Sequence, residues 1–494
     1  MTVSVAGTAM AADTVELTLD DSIQMAMENN RTIKQSVTDV DYANWTLHQA
    51  RRATGPSLSW SGTAYKLGGK AYEAYQRAGL YDREFTNGIQ ASYPLYTGGK
   101  NENNIKAAGY SLDSADLTLE NTKQTIRQQV TTYYYNILQY RKLIQVDQES
   151  VDNLQSHLDN VNAQYRVGTV AKSDVLLSEV QLANARQSLV SQQNNYNIAV
   201  STLNNAIGLP TDTILNIRDE LKYTKYDLNL NDCTQYASVH RPDGLAAEYK
   251  VRQAEAAVKV AQAANLPQVN AVVKRSFSGE DAFGTDHTNS DTWSTGISAS
   301  WDIFDNNVTQ ASVRQAEATL RKTQEAALQQ QDTISLEVRT AYLNLIAAET
   351  NIRTTQVAVD QAQEDYKIAQ VRYSAGVDTN LSVMDAEEKL LTAQTNYVTA
   401  LYNYNTAKVS LDKAMGIKVD LDVAPYWAEI TGKTAEPDTV KQTGSVAQKA
   451  ETSSDAPAQT EVKQAAPAPA AESVPVQAEN ADEEAAAAVE ESAE

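Results

Sequence analysis

The chain has 494 residues, room for two or three ordinary domains, and a formal net charge of −22 that argues against nucleic acid, whose binding needs a basic face. One cysteine, Cys233, excludes a disulfide framework and a cysteine-based zinc site. No run of about 18 apolar residues exists, so no transmembrane helix is expected and a membrane role would have to use β-strands. The four histidines, His48, His157, His240 and His287, lie far apart and read as solvated helix or loop residues. Tyrosine is common at 25 and phenylalanine scarce at 4, a balance that suits surfaces wet on one side.

Residues 1–12 read as the remnant of a secretory signal, with Ala9-Met10-Ala11 as an A-x-A cleavage site. A basic leading segment is absent, and an ordinary flexible terminus is the other reading. A first repeat is assigned to residues 13–210. It opens with a helix over about Asp20–Ala53, capped by Thr18 or Asp20 and stopped by Gly55-Pro56. Two strands follow, about 57–67 and 87–96. In the first, Leu58, Trp60, Gly62 and Ala64 share one face, and Ser59, Ser61, Thr63 and Tyr65 the other. In the second, Ile89, Ala91, Tyr93 and Leu95 oppose Gln90 and Ser92. A long polar loop, 68–85, joins them.

A helix over about Asn103–Tyr165 comes next, with no proline to break it. At about 1.5 Å per residue it spans roughly 95 Å. Tyr165-Arg-Val-Gly168 turns the chain, the glycine sitting where a helix C-cap needs positive φ. Ser173 is a candidate cap for the returning helix. Its seam runs through Val175, Leu182, Ala185, Leu189, Tyr196, Ala199, Leu203 and Ala206, the 3,4 spacing of a coiled coil. Alanine at one seam position lets two helix axes approach closely.

After a linker at 211–230, the unit repeats over 231–416. In the first helix the offset is 211 residues: Leu19 matches Leu230, Ala26 matches Ala237, and Pro56 matches Pro267. The second helix is placed over about Asn231–Ala264. Strands at about 268–277 and 292–304 alternate Val269, Ala271 and Val273 with Asn270 and Lys274, and Trp293, Ile297, Ala299, Trp301 and Ile303 with Ser294, Ser298 and Ser300. Their loop is 278–291. From there the offset is 208, giving a long helix over about Ala311–Tyr373, a turn Tyr373-Ser-Ala-Gly376, a cap at Thr379, and the seam Val383, Ala386, Leu390, Ala393, Tyr397, Ala400, Tyr404, Ala407, Leu411, Ala414. Residues 417–431 form a short mixed segment. Residues 432–494, with four lysines against 13 acidic residues and little else but Ala, Pro, Gln, Ser and Thr, are expected to be disordered.

Four strands of about 10 residues, apolar on one face and polar on the other, fit part of a transmembrane barrel, with Trp60, Tyr93, Trp293 and Trp301 as an interfacial aromatic girdle. A soluble hairpin is the bland alternative, but very long flanking helices give it little to bury against. Four strands cannot close alone; eight from a dimer leave little lumen, and 12 from a trimer leave a passage. No phosphate loop, nucleophile elbow or metal-spaced cluster is present, so no enzyme, catalytic residue, metal or cofactor is expected.

The motifs Ala91-Ser-Tyr-Pro-Leu-Tyr-Thr-Gly-Gly99, its degenerate copy Ala299-Ser-Trp-Asp-Ile-Phe-Asp305, Tyr165-Arg-Val-Gly-Thr-Val-Ala-Lys-Ser-Asp-Val175, and Tyr373–Gly376 through Asp385-Ala386, with their order and duplication, resemble the TolC-like outer-membrane efflux protein family over about residues 15–430. The resemblance implies a mainly α fold with a membrane β-barrel portion. It implies a homotrimer joining a 12-stranded barrel in outer-membrane lipid to a long helical tunnel in the periplasm, with the acidic tail also periplasmic. It implies a periplasmic adaptor and an inner-membrane pump of RND, ABC or MFS type, and efflux of small molecules or type I secretion of proteins. By the same resemblance Asp385 is a pore-constricting carboxylate and Ser382 stands where a second one is found. Asp174, Ser173 and Tyr373 hold the closed mouth, and Gly168 and Gly376 mark the tips that meet the adaptor. The basic partner of those links falls at Asp378, which is acidic; Arg166, Lys172 and Arg372 are the possible substitutes. A trimeric coiled-coil protein of structural or adhesive role is the competing reading, and the matched strands are what it leaves without a purpose.

Overall fold

A computed structural model of the chain describes residues 14–66, 68–70, 73, 83–279 and 290–432. The signal remnant, most of both hairpin loops and the acidic tail beyond Gly432 lie outside the described residues. The first copy runs β1 (Thr14–Glu16), α1 (Leu19–Asn29), α2 (Arg31–Arg52), β2 (Ser57–Lys66), β3 (Arg83–Tyr96), α3 (Lys100–Arg166) and α4 (Lys172–Ile207). After β4 (Ile214–Asn216), the second copy runs α5 (Leu230–His240), α6 (Pro242–Gln262), β5 (Gln268–Gly279), β6 (Ser290–Ser300), α7 (Val308–Ser374) and α8 (Asn380–Met415), and α9 (Ala424–Thr431) follows. The order is the expected duplication of helix, hairpin, long helix and returning helix.

Each opening helix is broken, which corrects the single helices expected at 20–53 and 231–264. Asn30 is extended, accepts the Thr32 N–H at 2.9 Å as the cap of α2, and donates to the Ala206 carbonyl at 2.9 Å. At the matching place in the second copy, Pro242 has no N–H to continue the ladder and pushes Arg241 to φ −77, ψ 113. Thr18 caps α1 in a capping box with Asp21.

α3 and α7 have 67 residues each, about 100 Å of helix. Each packs along its own returning helix, α3 on α4 and α7 on α8, and α3 also packs on α8, joining the two copies. Most of the expected seam residues are buried: Val175, Leu182, Ala185, Ala199 and Leu203 in one copy, Val383, Ala386, Leu390, Ala393, Ala400, Tyr404, Leu411 and Ala414 in the other; Leu189, Tyr196, Ala206, Tyr397 and Ala407 are half-buried. Residues beyond the second seam are tied down by α3. The buried Glu120 carboxylate accepts the N–H groups of Val419 at 2.7 Å, Asp420 at 3.3 Å and Leu421 at 3.0 Å. Arg127 donates to the carbonyls of Ile417 and Lys418.

The larger sheet is antiparallel in the order β2-β3-β5-β6, so the copies meet at β3 and β5 while β2 and β6 are its edges. Register sets the faces. One row holds Trp60, Ile89, Arg275 and Trp293; the next residue along gives Ser59, Gln90, Lys274 and Ser294 on the opposite face. Tyr93, Ala271 and Ile297 form another apolar-face row. β3 begins four residues earlier than expected, and β6 stops at Ser300, four residues before the expected end. Trp301 therefore leaves the strand; its indole N–H donates to the Asn265 carbonyl at 3.0 Å. The chain then turns through Asn306 and Asn307, both at positive φ, where the first copy has Gly98 and Gly99. A second sheet, β1 parallel to β4, was not expected; three residues per strand are too few to show a period.

Candidate functional site at the helix turns

The two turns between long and returning helices share one geometry. The Gly168 N–H donates to Tyr165 and the Thr169 N–H to Gln164; the Gly376 N–H donates to Tyr373 and the Val377 N–H to Arg372, each at 3.0 Å. Both glycines have positive φ, 82° and 71°, and a side chain added at either would meet nothing within 4 Å. The tips are thus sharp and unobstructed.

The returning helices begin differently. Thr379 caps α8 as expected, accepting the Ser382 N–H at 3.2 Å, with the Ser382 hydroxyl 3.0 Å from its own. On α4 the cap is Ala171, not Ser173, which is exposed inside the first turn. The Asp174 carboxylate reaches back to the Ala171 N–H at 3.3 Å. Asp378 accepts the Thr379 N–H at 2.8 Å and pairs with Arg372 at 3.2 Å. The Ser382 hydroxyl, the Thr379 N–H and then Arg372 hold its carboxyl below the usual range. Of the possible basic residues, Arg372 is the one that reaches Asp378 within the chain. Asp385 lies exposed on the second turn of α8.

Between the tips, all four long helices meet in a buried polar cluster. His157 Nε2 on α3 is 2.6 Å from Asn380 Oδ1 on α8. The Asn380 amide donates to the Asp174 carbonyl at 3.0 Å and the Ser178 hydroxyl at 3.2 Å, both on α4. The Tyr373 ring on α7 lies tilted against that of His157, centroids 5.1 Å apart, and its hydroxyl is buried without a hydrogen bond. Burial, then the nearby Asp174 charge, pushes the Tyr373 phenol up. Burial holds the His157 imidazole below its ordinary value, against the opposing pull of the Asn380 bond. One heptad away along the same two helices, the Ser150 hydroxyl donates to the buried Glu387 carboxylate at 2.5 Å. Desolvation raises Glu387, the Ser150 bond opposing and Glu388, Asp147 and Glu149 adding to it.

Asp174 and Tyr373 are therefore brought together, but the bond between the coils is made by the Asp174 backbone through Asn380. His157, read from sequence as solvated, is a core residue of this cluster. A signal existed: Ser150 and His157, and Asn380 and Glu387, are polar residues one heptad apart beside the seams.

The outer membrane efflux protein family model matches residues 22–209 and again 234–417. The chain belongs to the outer membrane efflux protein family. The two matches coincide with its two copies. Among related efflux proteins, the outer membrane protein TolC of Escherichia coli K12 is 23% identical over 376 residues, 74% of this chain and 75% of TolC. The outer membrane efflux protein BepC of Brucella suis is 24% identical over 381 residues, 75% of this chain and 79% of BepC. The crystal structure of the Campylobacter jejuni CmeC outer membrane channel superposes with a TM-score of 0.69 at 19% identity, covering 83% of this chain and 89% of CmeC. That likeness carries the fold. Family membership makes the chain an outer-membrane efflux protein, in a family whose named members are channels and not enzymes.

Proposed function

We propose that three copies of the chain close into a channel-tunnel whose β-barrel lies in the outer membrane and whose helical part spans the periplasm. One observation carries this reading: the helix and strand pairings that join the copies have counterparts that the chain leaves unmade. Internally α3 packs on α8 and β3 pairs with β5; α7 and α4, and β6 and β2, are left open. Residues 208 apart on these faces differ in burial. Leu138 is 1% exposed and Ile346 43%; Met384 is 5% and Leu176 50%; Val398 is 6% and Val190 64%. A neighbour placed by the same relation covers both faces at once, a head-to-tail contact that closes as a ring. Three chains give 12 strands and a lumen, two give only eight.

In that ring the serine-, threonine- and asparagine-rich face lines the barrel. Trp60, Trp293 and Tyr93, all exposed on the other face, meet lipid at the interfaces. The open tips at Gly168 and Gly376 meet a periplasmic adaptor, which couples the duct to an inner-membrane pump. Three Asp385 carboxylates ring the mouth and attract cations, with Ser382 beside them and Asp174, Ser173, Tyr373 and Asp378 at the links that hold it closed.

Single-channel current in a planar bilayer tests this, wild type beside Asp385→Ala. A small conductance that multivalent cations block, with the block lost in the variant, supports the gated tunnel. A soluble, detergent-free trimer without conductance refutes it in favour of a structural coiled coil. Conductance with a block unchanged by the variant keeps the duct and removes Asp385 from the constriction.

A further inference from the structure

The internal seam between the copies carries a neutral buried pair near the tips, His157 on α3 against Asn380 on α8. The residue 208 positions after His157 is Asp365 on α7, and the residue 208 before Asn380 is Lys172, the first residue of α4. We propose that Lys172 of one chain forms an ion pair with Asp365 of the next, across the seam that joins neighbouring chains. This rests on the ring proposed above.

Three observations support it. The faces concerned are the open ones: Asp365 is 57% exposed and Lys172 is exposed. Their charges are complementary where the internal pair is neutral. The tyrosine beside the pair behaves in the same way, Tyr373 being buried against His157 while its counterpart Tyr165 is exposed on the end of α3. A neighbour that supplies Lys172 therefore also covers its own Tyr165. Among the described residues of the chain Asp365 has only a long ion pair, to Lys389 at 3.9 Å with both side chains solvent-exposed, a contact that contributes little and leaves the carboxylate open to a neighbour. Glu364 is engaged with Lys367 at 3.4 Å.

The chemistry distinguishes the two kinds of seam. If α8 of one chain docked on α7 of another, Asp365 would face Asn380. The lysine of the displaced α4 would then face His157 in a buried site with no carboxylate bonded to it. Mispairing so leaves charges unmatched, and alternation of internal and external seams is favoured.

The test places cysteine at both positions, Lys172→Cys with Asp365→Cys in one chain, and treats membranes with a short bismaleimide. The native Cys233 is fully buried, so background reaction is small. The expected product is a covalent trimer on a denaturing gel, absent from either single variant. A trimer in detergent that yields no cross-link, or a product that stays monomeric, overturns the pair and leaves the ring. A chain that never becomes a trimer overturns both. A charge swap guards against a folding artefact: Lys172→Asp alone lowers the heat and salt resistance of the trimer, and adding Asp365→Lys restores it. Failure of the swap to restore either property also overturns the pair.

Discussion

Asn380→Ala removes a side chain of α8 that hydrogen-bonds to both α3 and α4 at the tips. Asp174 keeps a partner for its carbonyl, because the Ser178 hydroxyl also donates to it at 2.9 Å. His157 does not, and its Nε2 is left buried and unpaired. An orphaned buried donor costs about 1–3 kcal/mol, and the small cavity adds to that, so the clasp in each chain weakens by about 2–4 kcal/mol. At about 1.4 kcal/mol per tenfold, opening of the tips becomes roughly 30- to 700-fold more frequent. Hydrogen–deuterium exchange reads this directly. Amides of residues 167–171 and 375–379, and of the first turns of α4 and α8, exchange faster, while those near Tyr134 and Tyr404 do not change. Unaltered exchange at the tips would refute the clasp. Acidity acts on the same group. Its folded-state value is depressed below the ordinary 6.5, so its stabilisation is present above about pH 6.5 and is lost as pH falls from there through the depressed value. Asp174 on α4, Tyr373 on α7 and, a heptad away, Glu387 on α8 face this group. Glu387 is raised above its ordinary 4.5 and works in the opposite sense, its contribution present below that value and lost as pH rises through the raised one. His157→Gln keeps a donor for Asn380 and removes the acid-driven loosening that begins near pH 6.5; a profile unchanged by that substitution would place the titration elsewhere.

Glu120→Ala leaves three backbone N–H groups at 419–421 without their acceptor, a loss of about 3 kcal/mol after partial rescue by water. Limited proteolysis then cuts within 417–423 before any other described segment, and a wild-type cleavage pattern counts against the cradle. Asn306→Gly relieves a left-handed residue at φ 54 and raises thermal stability by up to about 1 kcal/mol in a melting experiment. Gly98→Asn, its mirror, is destabilising, because an added Cβ would lie 2.8 Å from Leu266 and 2.9 Å from the Ala263 carbonyl. Gly376→Val strains the turn by about 1–2 kcal/mol without a clash; exchange rises at residues 374–379 and the far ends of α7 and α8 keep wild-type protection.

The long helices, the four strands and the duplication were legible because each rests on a period that many residues repeat. The fine structure was legible only where one residue carries a local rule. Thr18 and Thr379 cap as a hydroxyl before a helix should. Ser173 does not, because Asp174 can reach back to Ala171 and so moves the cap two residues upstream. Pro242 states its break openly in the sequence, and its partner at Asn30 is hidden, since an asparagine breaks a helix only when tertiary contacts, here the Ala206 carbonyl, favour it. The clasp was the least readable part. His157 and Asn380 are separated by 223 residues, and nothing local to either says that the other lies opposite. The candidate residues of the mouth came from family resemblance; the bond between Asn380 and the Asp174 backbone came only from the fold.

Fusing two copies in one chain also changes how a ring can be built. Six separate copies would need every seam to form by collision, each penalised at low concentration. Covalent linkage makes every second seam intramolecular, where the partner is always near and dilution has no hold on it. Only the remaining seams then depend on how much protein the envelope contains. In the proposed ring, recognition between chains rests on those seams alone, while the internal seam has only to hold a shape.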